Sequence, residues 1–357
     1  MDISVLDKNM LGNAFVADGL KFFSPADAPV CAHGMMYNEE LKQYRRIPEE
    51  AAKNASPSVY AYNNHLTGGR FIFRTNTDKL AIKFKIPWDG VKEFNQANAG
   101  IDVYERVDGK QILLRTFKPT TIDENRFISI TRELGGKKDR ELVIYLPGMA
   151  GTSNYTLGID EDAYIAEGDG YKYSKPVVFY GSSIVHGAQS YRPALAYPSM
   201  ISRKYDLDFI NLGYSGQAKG EQSFAEYIKT IDMAAFVLDY DHNAPTPEHL
   251  EATHEIFYKT IREANPDLPI IMITRPQFHV LDYAEVVRRR EIIYATYENA
   301  KARGENVYFI DGGHFYDEFG GDDCTADDSH PNTLGFFAMA ETISKVLEEA
   351  LPIKKVK

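Results

Sequence analysis

Two residues far apart in this sequence could do chemistry together: Ser183, in Tyr180-Gly181-Ser182-Ser183-Ile184, and His330, in Asp327-Asp328-Ser329-His330-Pro331-Asn332. The serine follows an apolar run, Pro176-Val177-Val178-Phe179-Tyr180, and the histidine has an acid three residues before it. These are the parts of a hydrolytic acyl-transfer site. The serine attacks a carbonyl, the histidine takes its proton, and the acid orients the imidazole. Histidine suits that task because its ordinary pKa lies near neutrality. Residue type alone leaves alternatives open, since Ser182 stands beside Ser183 and Asp328 beside Asp327. A Gly-Ser-Ser stretch also serves as a strand-to-helix turn with serine capping the helix. His330 could likewise do no more than cap a helix that starts at Pro331.

The elements that would hold these residues read as strand, helix, strand from about residue 173 onward. Apolar runs occur at 176–180, 209–212, 234–238, 269–273 and 307–310, and helical patterns at about 195–205, 221–231, 247–264, 282–303 and 333–350. Near-continuous apolar strands between amphipathic helices predict a parallel sheet covered on both faces. Ligands bind such sheets at the C-terminal ends of the strands. Ser183 falls there after the first strand, Gly213 after the second, Asn243 after the third and His330 after the fifth.

The preceding half has a different rhythm. Runs at 71–75, 80–86, 101–107, 111–115, 126–130 and 141–146 alternate with a period of two, and Asp108-Gly109 marks a hairpin turn. Short strands between turn residues predict an antiparallel sandwich. Only Glu49-Glu50-Ala51-Ala52-Lys53 hints at a helix there. With 357 residues, two domains are expected: a β-sandwich over 1–172 and an α/β domain over 173–357, joined near Glu167–Lys172.

The ordered motifs Gly181-Ser182-Ser183-Ile184, Asn211-Leu212-Gly213-Tyr214-Ser215-Gly216, Asp239-Tyr240-Asp241-His242-Asn243 and Asp327-Asp328-Ser329-His330 resemble the sequence blocks of the SGNH (GDSL) hydrolases. The first has serine where many members carry aspartate, and the third departs from the usual asparagine block. Gly100-Ile101-Asp102-Val103-Tyr104 is similar to the motif of an N-terminal β-domain in one branch of that family. The resemblance implies a flavodoxin-like SGNH sheet preceded by a jelly-roll-like β-sandwich. It selects Ser183 as nucleophile, His330 as base and Asp327 as its partner. It implies an oxyanion hole made by the Ser183 and Gly213 N–H groups and the Asn243 amide, and catalysis with no cofactor and no metal. A glycine at 213 suits a backbone that must approach substrate closely.

Other residues invite a role. His186 and His242 could touch substrate, and Trp88, in Pro87-Trp88-Asp89-Gly90, could stack on a sugar or simply be core. Arg192 could form a structural salt bridge bracing the nucleophile loop, and Arg288-Arg289-Arg290 reads as a solvated helix face beside Glu285 and Glu291. The two cysteines, Cys31 and Cys324, suggest reduced thiols, and Asp241-His242 lacks the further ligands a metal needs. A net charge of -11 argues against nucleic acid or an anionic membrane as partner. The N-terminus shows no signal-peptide pattern, so a cytoplasmic protein is expected, with homo-oligomerisation open. The loops 187–192 and 217–221 are polar, unlike the apolar surroundings of a lipase site. With the resemblance, they point to an O-acetylesterase acting on plant-derived oligosaccharides of the acetylated mannan or xylan type. A short-chain lipid or aryl esterase or a thioesterase is the alternative, and a carbohydrate-binding protein with an inactive hydrolase half is a third.

Overall fold

The computed structural model describes residues 15–87, 99–119, 122–276 and 282–356. Its N-terminal half holds β1 (Leu20–Phe23), β2 (Cys31–His33), β3 (Met36–Asn38), β4 (Gln43–Arg45), α1 (Glu49–Ala55), α2 (Pro57–Ala61), β5 (Arg70–Thr75) and β6 (Lys79–Lys85). It continues with β7 (Ile101–Val107), β8 (Lys110–Phe117), β9 (Phe127–Glu133), β10 (Arg140–Tyr145), β11 (Ser153–Asp160) and β12 (Ile165–Glu167). One antiparallel sheet runs β1-β11-β6-β9, the other β12-β5-β10-β7-β8 with β2 also on β5, and β3 pairs with β4. The Asp108-Gly109 turn joins β7 to β8 with both residues at positive φ, 51° and 80°. That is the backbone a two-residue hairpin of the right twist requires.

Alternation along these strands divides their side chains between two cores. Phe71 and Phe73 of β5, Ile101 and Val103 of β7, and Leu142 and Ile144 of β10 fill the sandwich. The residues between them, Ile72, Tyr104, Val143 and Tyr145, belong to a core shared with the C-terminal half. The larger sheet is therefore buried on both faces, and its second face is the domain interface.

The C-terminal half is a parallel sheet of β13 (Tyr173–Gly181), β14 (Leu207–Gly213), β15 (Ala235–Asp239), β16 (Ile270–Ile273) and β17 (Val307–Ile310), in the order β14-β13-β15-β16-β17. The helices are α3 (Ser183–His186), α4 (Tyr197–Tyr205), α5 (Gln222–Ile228), α6 (Pro247–Ala264), α7 (Tyr283–Ala302) and α8 (Thr333–Ala350). Val177 and Phe179 of β13 face the core containing residues of α4 and α8, while Val178 and Tyr180 face the core containing residues of α5, α6 and α7. This is the α/β sheet with helices on both faces that the strand–helix rhythm predicts. Among the described residues, no helix is long and apolar enough to cross a membrane.

The interface face of β7 carries its polar contacts on alternate positions. Asp102 is fully buried, and its Oδ2 lies 3.0 Å from Arg192 Nη1 and accepts the Ala194 N–H at 2.9 Å. Tyr104 Oη accepts from the same Arg192 nitrogen at 2.8 Å. Arg106 donates from Nε to Glu141 at 2.6 Å and reaches Asp206 at 3.3 Å. The motif around Asp102 is thus an interdomain clasp, and Arg192 forms the structural salt bridge. Nor is the polar stretch 167–172 a loose linker. The Asp169 N–H bonds Glu141, the Lys172 N–H bonds Asp206, and Arg106 donates to the Gly170 carbonyl.

Removing one partner of a buried ion pair leaves the other uncompensated, at a cost of about 3–5 kcal/mol. Asp102→Ala should therefore lower unfolding free energy by about 3 kcal/mol in urea titrations. A loss below about 1 kcal/mol, the range of exposed pairs, would contradict the clasp.

Candidate active site

β13 ends at Gly181, and the chain turns directly into α3. Ser182 is buried and caps that helix, its Oγ accepting the Ile184 N–H at 3.2 Å. Ser183 opens the helix with its side chain outward, and its Oγ lies 2.9 Å from His330 Nε2. The two serines that residue type could not separate thus divide the roles of cap and partner to histidine. As the first helical residue, Ser183 also lies where a helix leaves its N–H groups without intrahelical acceptors.

His330 lies just before α8. Its Nδ1 is 3.0 Å from both carboxylate oxygens of Asp327. Asp327 Oδ1 also accepts the backbone N–H groups of Ser329 and His330, each at 2.8 Å. Burial pushes the Asp327 carboxyl up, but those two amides and the imidazole outweigh it and hold it below the ordinary 3.8. An ionised carboxylate can only accept, so Nδ1 carries the ring proton and Nε2 is left to accept from Ser183. Gln189, from the loop after α3, adds a long contact of 3.4 Å to Asp327.

The loop after β14 departs from expectation. Gly213 is buried, and its N–H is donated to Asn211 Oδ1 at 2.9 Å. A Cβ on Gly213 would stand 2.2 Å from the His186 backbone nitrogen. Gly213 is therefore glycine so that β14 can pack on α3, not so that substrate can approach, and its N–H is already committed. Gly216, three residues on, is exposed, at φ +66° with open space where a Cβ would be. Its N–H donates to Asn243 Oδ1 at 3.2 Å. The sequence reading passed over Gly216, although it ends the same motif and could have been found there.

Asn243 closes a single turn after β15. Its Nδ2 donates to the Tyr214 carbonyl at 2.9 Å and has a second hydrogen to give. The turn is braced from behind by Asp241, which is buried and accepts the Arg275 N–H at 2.9 Å. Arg289 donates to the carbonyls of Asp241 and Ala244 at 3.2 and 3.0 Å. Arg289 is 2% exposed, so the middle arginine of the basic run is not on a solvated face.

His186 is buried, with Nε2 2.8 Å from the Gly148 carbonyl and Nδ1 2.9 Å from Ser215 Oγ. Burial, with the charge of Arg46, keeps its pKa well below 6.5, so the ring is neutral. It lines a cavity of about 410 Å³ between the two halves, along with Tyr62, Asn64, His65, Met149 and Ser215. His242 is half-buried close to His330, and burial followed by the charges of Arg275 and His330 holds it neutral. Trp88 lies outside the described residues. Among the described residues, no cluster of three or more metal-ligating side chains is present.

Comparison with known proteins fits this geometry. Residues 174–348 match the GDSL-like lipase/acylhydrolase family, and residues 20–165 match the N-terminal region of SGNH-hydrolase-type esterases. A GDSL-like lipase assigned in Bacteroides ovatus shares 28% identity over 95% of this chain and 100% of its own, with a TM-score of 0.82. The salicylyl-acyltransferase SsfX3 of a tetracycline biosynthetic pathway is 21% identical over 95% of this chain and 100% of its own, with a TM-score of 0.77. Est2A, an acetyl xylan esterase from the rumen bacterium Butyrivibrio proteoclasticus, is 12% identical over 93% and 99%, with a TM-score of 0.58. The last two likenesses are of fold. No functionally curated protein matches the chain in sequence.

Asp327 also ties stability to pH. A carboxyl whose pKa is lowered by folding adds stability above its ordinary value, and loses it as pH falls through 3.8 and below. Thermal midpoints measured from about pH 6 to about pH 2.5 should therefore fall more steeply for wild type than for Asp327→Asn, which has no such proton to take up. Parallel curves would contradict the proposed hydrogen bonding.

Proposed function

The chain belongs to the SGNH/GDSL hydrolase family, and on that footing we propose that it is a serine esterase removing O-acetyl groups from plant-derived oligosaccharides of the mannan or xylan type. The observation that carries the serine mechanism is the run of contacts from Ser183 Oγ to His330 Nε2 and from His330 Nδ1 to Asp327.

In this reading, Ser183 Oγ attacks the ester carbonyl carbon while its proton passes to His330 Nε2. The carbonyl oxygen becomes an oxyanion facing the N–H groups of Ser183 and Gly216 and the free hydrogen of Asn243 Nδ2. Collapse breaks the bond to the sugar oxygen, which leaves with the proton from His330. Water then gives a proton to His330 and attacks the acetyl-serine, releasing acetate and restoring Ser183. Asp327 stays ionised and stabilises the imidazolium in both steps. Gly216 takes the donor place first expected of Gly213, because it is exposed where Gly213 is buried, and its N–H gives up the 3.2 Å bond to Asn243 Oδ1 to face the oxyanion.

Two features support the acetyl and carbohydrate parts of the reading. The loops after Ser183 and after Gly216 are polar, at 187–192 and 217–221. The fold is shared, at low identity, with an acetyl xylan esterase that also spans both halves.

Acetate release from acetylated mannan and xylan oligosaccharides tests it. Ser183→Ala should lose at least about 10⁴-fold in kcat, as removal of a catalytic serine does. Asn243→Ala should lose about 10²–10³-fold, the worth of one oxyanion donor. Activity confined to longer-chain, aryl or thioester substrates would replace the acetyl-sugar reading while keeping the serine esterase.

A further inference from the structure

Two residues of the C-terminal half that line the interdomain cavity, His186 and Ser215, are neighbours in sequence of the candidate site. His186 ends the short helix that Ser183 begins, and Ser215 immediately precedes Gly216. The facing wall is built by the N-terminal half from Tyr62, Asn64, His65 and Met149. At about 410 Å³ the cavity falls in the range of small-molecule sites, roughly 300–1,000 Å³. An acetyl group, with three heavy atoms, would leave most of it empty.

Its chemistry is specific. His65 packs against Tyr62 with ring centres 4.7 Å apart and against His186 at 5.7 Å. His65 Nδ1 is buried with no hydrogen-bond partner. Such an atom carries an uncompensated desolvation cost while it stays unpaired, which a ligand can recover. Burial, then the charge of Arg46, lowers the His65 pKa to about 3, and His186 is neutral as well. Arg46 donates to the Gly213 and Tyr62 carbonyls, while its Nε is buried without a partner. Among the described residues that line the cavity there is no lysine or arginine. A ligand hydroxyl can donate or accept, so it suits either tautomer of His65.

We propose that this cavity is the subsite for an uncharged pyranose ring of the ester substrate, with His65 Nδ1 bonding a ring hydroxyl and the half-buried Tyr62 ring beside the sugar. The inference rests on the carbohydrate-ester reading above and deepens it. It makes the N-terminal half part of substrate recognition.

The test is a ratio: kcat/KM on a neutral acetylated oligosaccharide divided by kcat/KM on 4-nitrophenyl acetate, which has no sugar. Any loss of folded enzyme cancels in this ratio. It is measured for wild type, for His65→Ala, and for Ala61→Trp, which places a bulky ring at the exposed rim of the cavity. The ratio should fall at least tenfold in both variants, mainly through KM for the sugar ester. A ratio within twofold of wild type in both would overturn the subsite. So would a shift in preference among nitrophenyl acetate, butyrate and benzoate at constant ratio, since the cavity would then hold the acyl group. Wild type that cleaves nitrophenyl acetate but no acetylated sugar would sink the carbohydrate reading itself, before any variant is compared.

Discussion

A carboxylate out of reach of water must be paired, and Asp102 sets the register of the two halves through that requirement. Burial raises its pKa, while Arg192 and the Ala194 amide pull it down. Its second oxygen, Oδ1, is buried without a hydrogen bond, so the site is not optimised for stability alone. Ion pairs of this kind contribute little net stability compared with a well-packed apolar core, yet they tolerate only one arrangement of partners. Here the arrangement fixes Arg192 and Ala194, which lie just beyond the loop that follows Ser183 and α3. The buried face of β7 thereby governs where the loop beside Ser183 sits.

The second constraint is close packing at the sheet's C-terminal edge. Ser183 can face His330 only because Ser182 takes the capping role and α3 lies directly on β14. That contact leaves no room for a side chain at 213, where a Cβ would stand 2.2 Å from backbone. The turn that carries Asn243 is held differently, by buried charge. Arg275 and Arg289 converge on Asp241, and Arg289 also holds the Ala244 carbonyl. An amide whose carbonyl partner and turn are both fixed has little freedom left, which is what a preorganised donor needs.

Much of this was legible in the chain, for reasons that differ by element. The five parallel strands and the helices at 247–264 and 333–350 announced themselves because long apolar runs and 3.6-residue periodicity survive without context. The hairpin at Asp108-Gly109 was legible because its backbone demands those residues. The short strands β1 to β4 and β12 were not, since pieces such as Cys31–His33 are strands only through their neighbours, and the longer β11 was missed with them. Gly213 was read as the donor from the resemblance, and sequence does not show that Gly213 is buried while Gly216 of the same motif is exposed. Arg289 was read as solvated because its neighbours in sequence are charged. Its burial depends on Asp241, 48 residues away. His186 gave no sign that all its polar atoms are engaged, because one partner, Gly148, lies in the other half.

That last contact belongs to a set which argues against treating the N-terminal half as a detachable module. Arg46 donates to the Gly213 carbonyl and sits 3.7 Å above the Tyr214 ring. Tyr214 in turn supplies the carbonyl that holds Asn243. Thr67 donates to the His186 carbonyl at 2.6 Å, and Gly148 accepts from the His186 ring. Each of these groups on the C-terminal side is polar and buried, and its partner comes from the N-terminal half. Without that half, the Gly213 and His186 carbonyls and the His186 ring would have to find water or rearrange, and unpaired they would each cost about 1–3 kcal/mol. All three lie within one turn of helix or three residues of Ser183 and Gly216. The N-terminal half is thus a supporting wall of the candidate site, and the packing around Ser183 and Gly216 is a property of the two halves together.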